Sequence, residues 1–295
     1  MEEPTFDDWK QAGKLAAETL QYGKGLIKKG ATLLEVSDKI DKYIYDHEAI
    51  PAFPSQISCN EIAAHYCAHP DDKIVFEDQI CCLDVGVCIN GAIGDNAATV
   101  DLSGQHTNII KAAQDALKAA SDKVQIGTPI NEIGKAIYDA IASHNLSPIR
   151  NLSGHGLGAF DVHTAPTIPN YDNGNTQELK RGDIIAIEPF ATNGAGIIYE
   201  SSPNSIWMIM NKKPVRSMIT RTILKEIENF KGLPFTTRWL TKKHHAGKVN
   251  FALKELEQME IIKDFPPLLD KNKGMVAQAE HSFYVDDKVT ILTKI

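Results

Sequence analysis

The chain lacks long apolar runs: no stretch approaches the ~18 uninterrupted apolar residues that a membrane-crossing helix needs. It also lacks a basic start leading into an apolar core. Met1-Glu2-Glu3-Pro4-Thr5 is acidic, so no secretory leader is expected and the expected compartment is the cytoplasm. Positive charge is not in excess either. The 31 Lys and Arg against 38 Asp and Glu leave a formal charge of −7, which argues against direct nucleic-acid binding, because phosphate neutralisation needs clustered cations. Cysteine is scarce. Cys59, Cys67, Cys81, Cys82 and Cys88 crowd into residues 59–88, are odd in number and form no C-x-x-C pair. Reduced, mostly buried thiols are therefore expected, with neither a disulfide frame nor a structural zinc site. Without secretion, the Asn-x-Ser triplets at Asn145 and Asn151 carry no meaning. What is present is 295 residues, 43% of them hydrophobic and 23% charged, enough for one large folded domain or two smaller ones.

The chain repeats itself. Shifted by 97 residues, Lys14 falls on Lys111, Ala16 on Ala113, Leu20 on Leu117 and Gly30 on Gly127. The register persists through a second helical pattern, with Leu33 on Ile130, Val36 on Ile133, Ile40 on Ile137 and Ile44 on Ile141. Two amphipathic helices match partly by chance, but two in one register, each pair divided at Gly, do not. Thr32-Leu-Leu-Glu35 predicts a capping box, and Thr128-Pro129 predicts a hydroxyl N-cap followed by Pro at the first helical position. After each helix pair comes a strand-like run with Asn-Gly in it, at Asn90-Gly91 and at Asn193-Gly194. Both read as hairpin turns, since Asn and Gly tolerate positive φ. The reading is an α/β (α+β) fold with a pseudo-two-fold repeat of helices and antiparallel strands. One domain spans 1–295, and its second half is interrupted by a small helical insertion at about residues 221–273.

The first hairpin can be read geometrically. A two-residue Asn90-Gly91 loop sets Asp84 opposite Ala97 and Asp95 opposite Gly86, so the two aspartates share a face as diagonal neighbours. Such residues sit ~7–8 Å apart at Cα, within reach of a shared metal or metal pair. Unpaired carboxylates on an apolar hairpin need a cation or hydrogen-bond donors; on the hairpin alone, a simply hydrated face competes evenly with a metal site. Further acids and imidazoles follow. His155 lies in the Gly-rich turn expected at Asn151-Leu-Ser-Gly-His155-Gly, ahead of His163. Glu188 is expected inside the apolar strand Ile184-Ile-Ala-Ile-Glu188, and Glu280 inside Met275-Val-Ala-Gln-Ala-Glu280. A buried Glu in a strand is rarely isolated, because its charge must be paired or coordinated.

Taken in order, Asn60-Glu-Ile-Ala-Ala-His65-Tyr, Asp84-Val-Gly-Val, Asp95, Leu152-Ser-Gly-His155, Val162-His163, Ala186-Ile-Glu188-Pro-Phe and Gln278-Ala-Glu280-His281 resemble the methionine aminopeptidases of the type 2, archaeal and eukaryotic kind. The resemblance runs from about Phe6 to the C-terminus. It implies the pita-bread fold, in keeping with the repeat, and the distance between Glu188 and Glu280 fits the helical insertion of type 2. Ala279 departs from the family motif, which has an aromatic there; this changes packing but no ligand.

Carried over by position, the resemblance implies two divalent cations held by Asp84, Asp95, His155, Glu188 and Glu280. Asp95 and Glu280 would bridge them, with Asp84 completing one shell and His155 and Glu188 the other. The oxygen-rich set with one imidazole suits Co, Mn, Zn, Ni or Fe(II). Two such ions lower the pKa of a shared water, so that hydroxide attacks the first peptide bond of a substrate. Glu188 is the implied acid/base, His163 the partner of the scissile carbonyl oxygen, and His65 the residue beside the scissile amide. Phe53 and Val162 match positions lining the family's methionine pocket. The implied function is removal of the initiator methionine from nascent proteins whose second residue is small, by a monomer whose contact with the ribosome is left open. Cys88 is expected not to ligate, and His244-His245 to be solvated surface. Two rivals remain. One is a prolidase-like pita-bread peptidase, disfavoured because the first ligand at position 84 leaves no room for an N-terminal domain. The other is a non-enzymatic, partner-binding relative, disfavoured because all five ligand positions are kept.

Overall fold

The computed structural model describes residues 3–294, so Met1, Glu2 and Ile295, and with them part of the acidic start noted above, lie outside the described residues. Helices α1 (Phe6–Leu26) and α2 (Leu33–Asp46) precede strands β1 (Ile50–Pro51), β2 (Gln56–Cys59), β3 (Ile62–Ala64), β4 (Ile80–Ile89) and β5 (Ala92–Asp101). Helices α3 (Thr107–Ser121) and α4 (Ile130–Ser143) then precede β6 (Ser147–Pro148), β7 (Ser153–Gly158), β8 (Asp161–Pro169), β9 (Ile184–Ile187) and β10 (Phe190–Thr192). The limits of α2 and α4 coincide after the 97-residue shift. So do their buried faces: Leu33, Val36, Ile40 and Ile44 in one, Ile130, Ile133, Ile137 and Ile141 in the other. Each such side chain contributes about 1.5–3 kcal/mol on burial, so the repeated stripe is what seats each helix on its sheet. The α2 stripe packs with Cys81, Leu83, Val85 and Val87 of β4, and the α4 stripe with Ile185, Ile187 and Phe283.

The helix starts differ from expectation. Thr32 Oγ1 accepts the Glu35 amide at 3.2 Å, but the Glu35 carboxylate takes the Lys39 ammonium one turn on, so only half of the capping box forms. Pro129 itself occupies the N-cap of α4, and the Thr128 hydroxyl donates to the Lys123 carbonyl. The free amides of Ile130 and Asn131 donate instead to the carbonyls of Gln177 and Asn175, a distant segment doing the work of a cap. A complete capping box does occur at Thr5 and Asp8, at the start of α1.

All strand pairs are antiparallel. β4 pairs with β5 through Asn90 (φ 52°) and Gly91 (φ 97°), in the expected register. The second Asn-Gly makes no hairpin. Gly194 lies beside the buried Asp270 carboxylate, which accepts the Ala195 and Gly196 amides at 3.0 and 3.1 Å. The chain therefore leaves β10 along a loop into β11 (Ile198–Glu200), and β10 pairs with the much later β16 (Val276–Gln278). Between them lie β12 (Ile206–Ile209), α5 (Met218–Glu228), β13 (Phe235–Thr236), α6 (Thr237–Thr241), α7 (Ala246–Gln258), β14 (Ile262–Phe265) and β15 (Leu268–Asp270). The helices among these share an apolar cluster of their own with the sheet β13-β12-β14, built around Trp207, Phe235 and Trp239. β17 (His281–Tyr284) and β18 (Thr290–Ile291) complete the sheet β18-β17-β9-β7-β8. Among the described residues no helix is long and apolar enough to cross a membrane, and the five cysteines are free, four buried and Cys59 half-buried.

Candidate active site

Asp84 faces Ala97 and Asp95 faces Gly86, so both aspartates project from one face of the β4–β5 hairpin. Ser282 fixes the hairpin to the other sheet: it accepts the Asp95 amide at 2.9 Å and donates its hydroxyl to the Asp95 carbonyl at 2.6 Å.

His155 is not in a turn. It lies in β7, opposite Ala186 of β9. The glycines around it serve close approach: a side chain at Gly154 or Gly156 would run into the carbonyl oxygens of Ala186 or Ala165. Its Nδ1 faces the Gly156 carbonyl at 3.2 Å, and its Nε2 stands 3.7 Å from Glu188 Oε1 and 3.9 Å from Asp95 Oδ2. With the proton on Nδ1, the Nε2 lone pair is directed at the acids.

Neither glutamate is inside a strand. Glu188 follows the end of β9, and Pro189, which has no amide hydrogen, separates it from β10. Glu280 stands in the gap between β16 and β17. The gaps meet: the Ala279 amide donates to the Pro189 carbonyl at 3.3 Å, and the Glu280 amide to the Ala97 carbonyl at 3.0 Å. Gln278, to which the sequence reading gave no role, offers its side-chain amide to both acids, at 3.2 Å to Glu280 and 3.4 Å to Glu188. Its only sequence signal is its place beside Glu280 in the motif.

The result is a cavity of about 510 Å³ lined by Asp84, Asp95, His155, Glu188 and Glu280, with no Lys or Arg on its wall. Ligand atoms of Asp95, His155 and Glu280 lie within 4.8 Å of one another. Asp95 and Glu280 are each 2% exposed, and one oxygen each of Asp84 and Asp95 is buried without a hydrogen-bond partner. Burial pushes the Asp84 carboxyl up to about 7. Burial, then mutual repulsion, raises Asp95, Glu188 and Glu280 well above the usual carboxylate range. Burial and the neighbouring His163 hold the His155 imidazole down to about 3, so it is neutral. Four crowded acids, orphaned oxygens and a neutral imidazole are a donor set that fits divalent cations, with harder oxygen ligands dominating.

The remaining expected residues also line the cavity. His163 packs edge-to-face on His155, ring centres 4.3 Å apart, and burial lowers its pKa. His65 stands edge-on to Phe265, is held down to about 4 by burial, and adopts φ 65°, a left-handed conformation unusual for a residue with a side chain. Phe53 and Val162 form part of an apolar wall that continues through Phe265, Ile206 and Pro234. Those last three come from the distant β12–β14 region and escaped the sequence reading, since only tertiary packing brings them to the site. Cys88 lies in an apolar cluster with Phe53 and Val162, outside the cavity lining. The surface expectation holds for His245 and needs correcting for His244. His244 is half-buried 4.0 Å from Glu226, and the exposed His245 caps α7 by accepting the Gly247 amide at 3.1 Å.

The family model for metallopeptidase family M24 matches residues 7–225. The chain is 40% identical over 287 residues to a methionine aminopeptidase of Archaeoglobus fulgidus, covering 96% of this chain and 97% of the relative. The crystal structure of a methionine aminopeptidase from Thermotoga maritima superposes with a TM-score of 0.72 at 20% identity, covering the whole of both chains. A prolidase from Pyrococcus furiosus gives 0.64 at 17% identity, covering 99% of this chain but 65% of the prolidase. At these identities the two structures speak for the fold alone.

Proposed function

We propose, for a chain that belongs to metallopeptidase family M24 and has the pita-bread fold, that it is a methionyl aminopeptidase removing the initiator methionine of proteins whose second residue is small. The observation that carries this reading is the convergence of Asp84, Asp95, His155, Glu188 and Glu280, drawn from both halves of the repeat, on one uncompensated acidic pocket. On this reading residues 1–295 are a single catalytic domain, and the helical segment at about 221–273 is an insertion within it.

The donor set suits two divalent cations, Co, Mn, Zn, Ni or Fe(II), which Asp84, Asp95, His155, Glu188 and Glu280 would hold. When bound, such ions supply Lewis acidity and make a water acidic enough to ionise near neutral pH. The chain's own residues do the rest. Glu188, steadied by the Gln278 amide, takes the proton of the attacking water and passes it to the departing nitrogen. His163 offers an N–H to the scissile carbonyl oxygen as negative charge develops there. His65, neutral and desolvated, stands beside the scissile amide. Phe53 and Val162 wall an unbranched apolar slot for the methionine side chain, and steric limits beyond it restrict the second residue to Ala, Gly or Ser. Peptides with N-terminal Met are the substrates. Nascent chains in the cytoplasm are their natural source, met by this protein as a monomer.

The test is peptide cleavage by the purified chain, stripped of metal and then given Mn(II) or Co(II), followed by mass spectrometry. Metal-dependent loss of Met from Met-Ala-Ser, with Met-Leu-Ser, Leu-Ala-Ser and Ala-Pro intact, is the expected result. Cleavage of Ala-Pro instead would move the chain to the prolidases. No cleavage with any metal would favour a partner-binding role.

A further inference from the structure

We infer that Asp41 and Arg238 form a buried clamp that positions His65 and the apolar slot, tying the helical segment to the catalytic cavity; the inference rests on the cavity being the active site. Arg238, in α6, is 2% exposed, yet it carries a full charge. Its guanidinium lies 2.7 Å from Asp41 of α2, itself buried, and also pairs with Asp38. Asp41 is saturated from three sides: it also accepts the Trp239 indole N–H at 2.6 Å and the Ser55 hydroxyl at 3.3 Å.

From this pair, bonds run to each wall of the cavity. Ser55 adjoins Gln56, whose side-chain oxygen accepts the His65 amide at 2.7 Å, and it lies two residues from Phe53. On the other side of His65, the Cys67 thiol contacts the Thr236 hydroxyl at 3.6 Å, and the Cys67 carbonyl accepts the Ser205 hydroxyl at 2.7 Å. Thr236 lies two residues before Arg238, and Ser205 adjoins the cavity residue Ile206. His65 is thus held between Gln56 and Cys67 in a left-handed conformation (φ 65°), which persists only where surroundings over-determine it.

A buried ion pair is poor evidence for stability, since an apolar pair of the same volume often serves as well. What Asp41 and Arg238 supply is one geometry: Arg238 Nη1 reaches Asp41 and Asp38 on α2, while the Asp41 carboxylate also holds Trp239 and Ser55, so that three segments far apart in sequence meet at one buried point. They are positioning residues, and a displacement of about 1 Å at the slot is worth about 100-fold in turnover.

The test uses the full-length, metal-loaded chain. Asp41→Asn and the milder Ser55→Ala are made alone and combined with His65→Ala, and kcat and KM are measured on Met-Ala-Ser. We expect Asp41→Asn to lower kcat/KM about tenfold or more with metal content unchanged, and to cost less than about twofold once His65 is already Ala. Equal losses in both backgrounds would overturn the clamp. Should the chain itself fail to cleave Met-Ala-Ser, it is the functional reading that fails. The clamp is then judged by hydrogen exchange, where Asp41→Asn should speed exchange of residues 62–67 about tenfold and leave α4 unchanged. No change at 62–67 would refute it.

Discussion

The first half of the chain presents its two carboxylates on one continuous hairpin of ten-residue strands, whereas the second half presents its two in gaps between strands of three or four residues. In the hairpin a two-residue turn fixes the register, so Asp84 and Asp95 are on one face as soon as Asn90 and Gly91 are in place. In the second half nothing local fixes the register. β10 must find β16, Phe190 opposite Gln278, before Glu188 and Glu280 can face each other. One half builds its share of the site by local rules, the other by long-range closure. The pseudo-symmetry lies in the helices and sheets, not in how the acids are presented.

The comparison can be broken in several places. The largest effect belongs to chemistry: Glu188→Ala should leave the far-UV circular dichroism unchanged while kcat on Met-Ala-Ser falls about 10²–10⁴-fold. Next come the two Asn-Gly sites, compared by urea unfolding. Gly194→Ala drives a methyl group into the buried Asp270 carboxylate and should cost about 3 kcal/mol. Gly91→Ala pays for its positive φ and its contact with the Phe160 ring, about 1–2 kcal/mol. The reverse order would mean that Gly194 is an ordinary turn after all.

The third effect is a pH dependence of the metal-free chain. Folding raises the carboxyls of Asp84, Asp95, Glu188 and Glu280, so the folded state holds protons that the unfolded chain has already released above about pH 5. The buried histidines, lowered by folding, oppose this trend, but the unfolded imidazoles are already half neutral at about pH 6.5 and their contribution fades by about pH 7.5. Stability should therefore fall as pH rises from 6.5 to 8, through the Asp84 value of about 7. Asp84→Asn should make the fall of the thermal midpoint shallower, the other three carboxyls keeping the rest of it; a midpoint that rises across this window would contradict the assignment. Smallest is the half-formed capping box. Thr32→Ala should cost about 1 kcal/mol, while Glu35→Ala, which removes only an exposed pair with Lys39, should cost under about 0.5 kcal/mol.

These differences also explain what could be read in the sequence. The helix pairs were legible because Leu33 to Ile44 and Ile130 to Ile141 repeat one buried stripe. The hairpin was legible down to its register. The Asn193-Gly194 turn was misread because its Gly is selected by a close neighbour, Asp270, some 75 residues away. The caps of α4 were misread for the same reason, its amides being satisfied by Gln177 and Asn175. The glycines around His155 look like a flexible turn in the sequence, whereas Gly154 lets β7 approach β9 and Gly156 lets it approach β8. The acids themselves stood out, since Glu and Asp in apolar runs demand an explanation; Gln278, Phe265, Ile206 and Pro234 did not, because amides and apolar side chains are unremarkable until folding brings them to the cavity.

The central claim is that the hairpin acids and the gap acids together make one metal centre. Metal content by inductively coupled plasma mass spectrometry, after equilibrium dialysis against Mn(II), tests it most directly. The account predicts that Asp95→Ala from the hairpin and Glu280→Ala from the gap each lose bound metal, with affinity at least ~100-fold weaker. Retention of the full metal complement in both variants would contradict it.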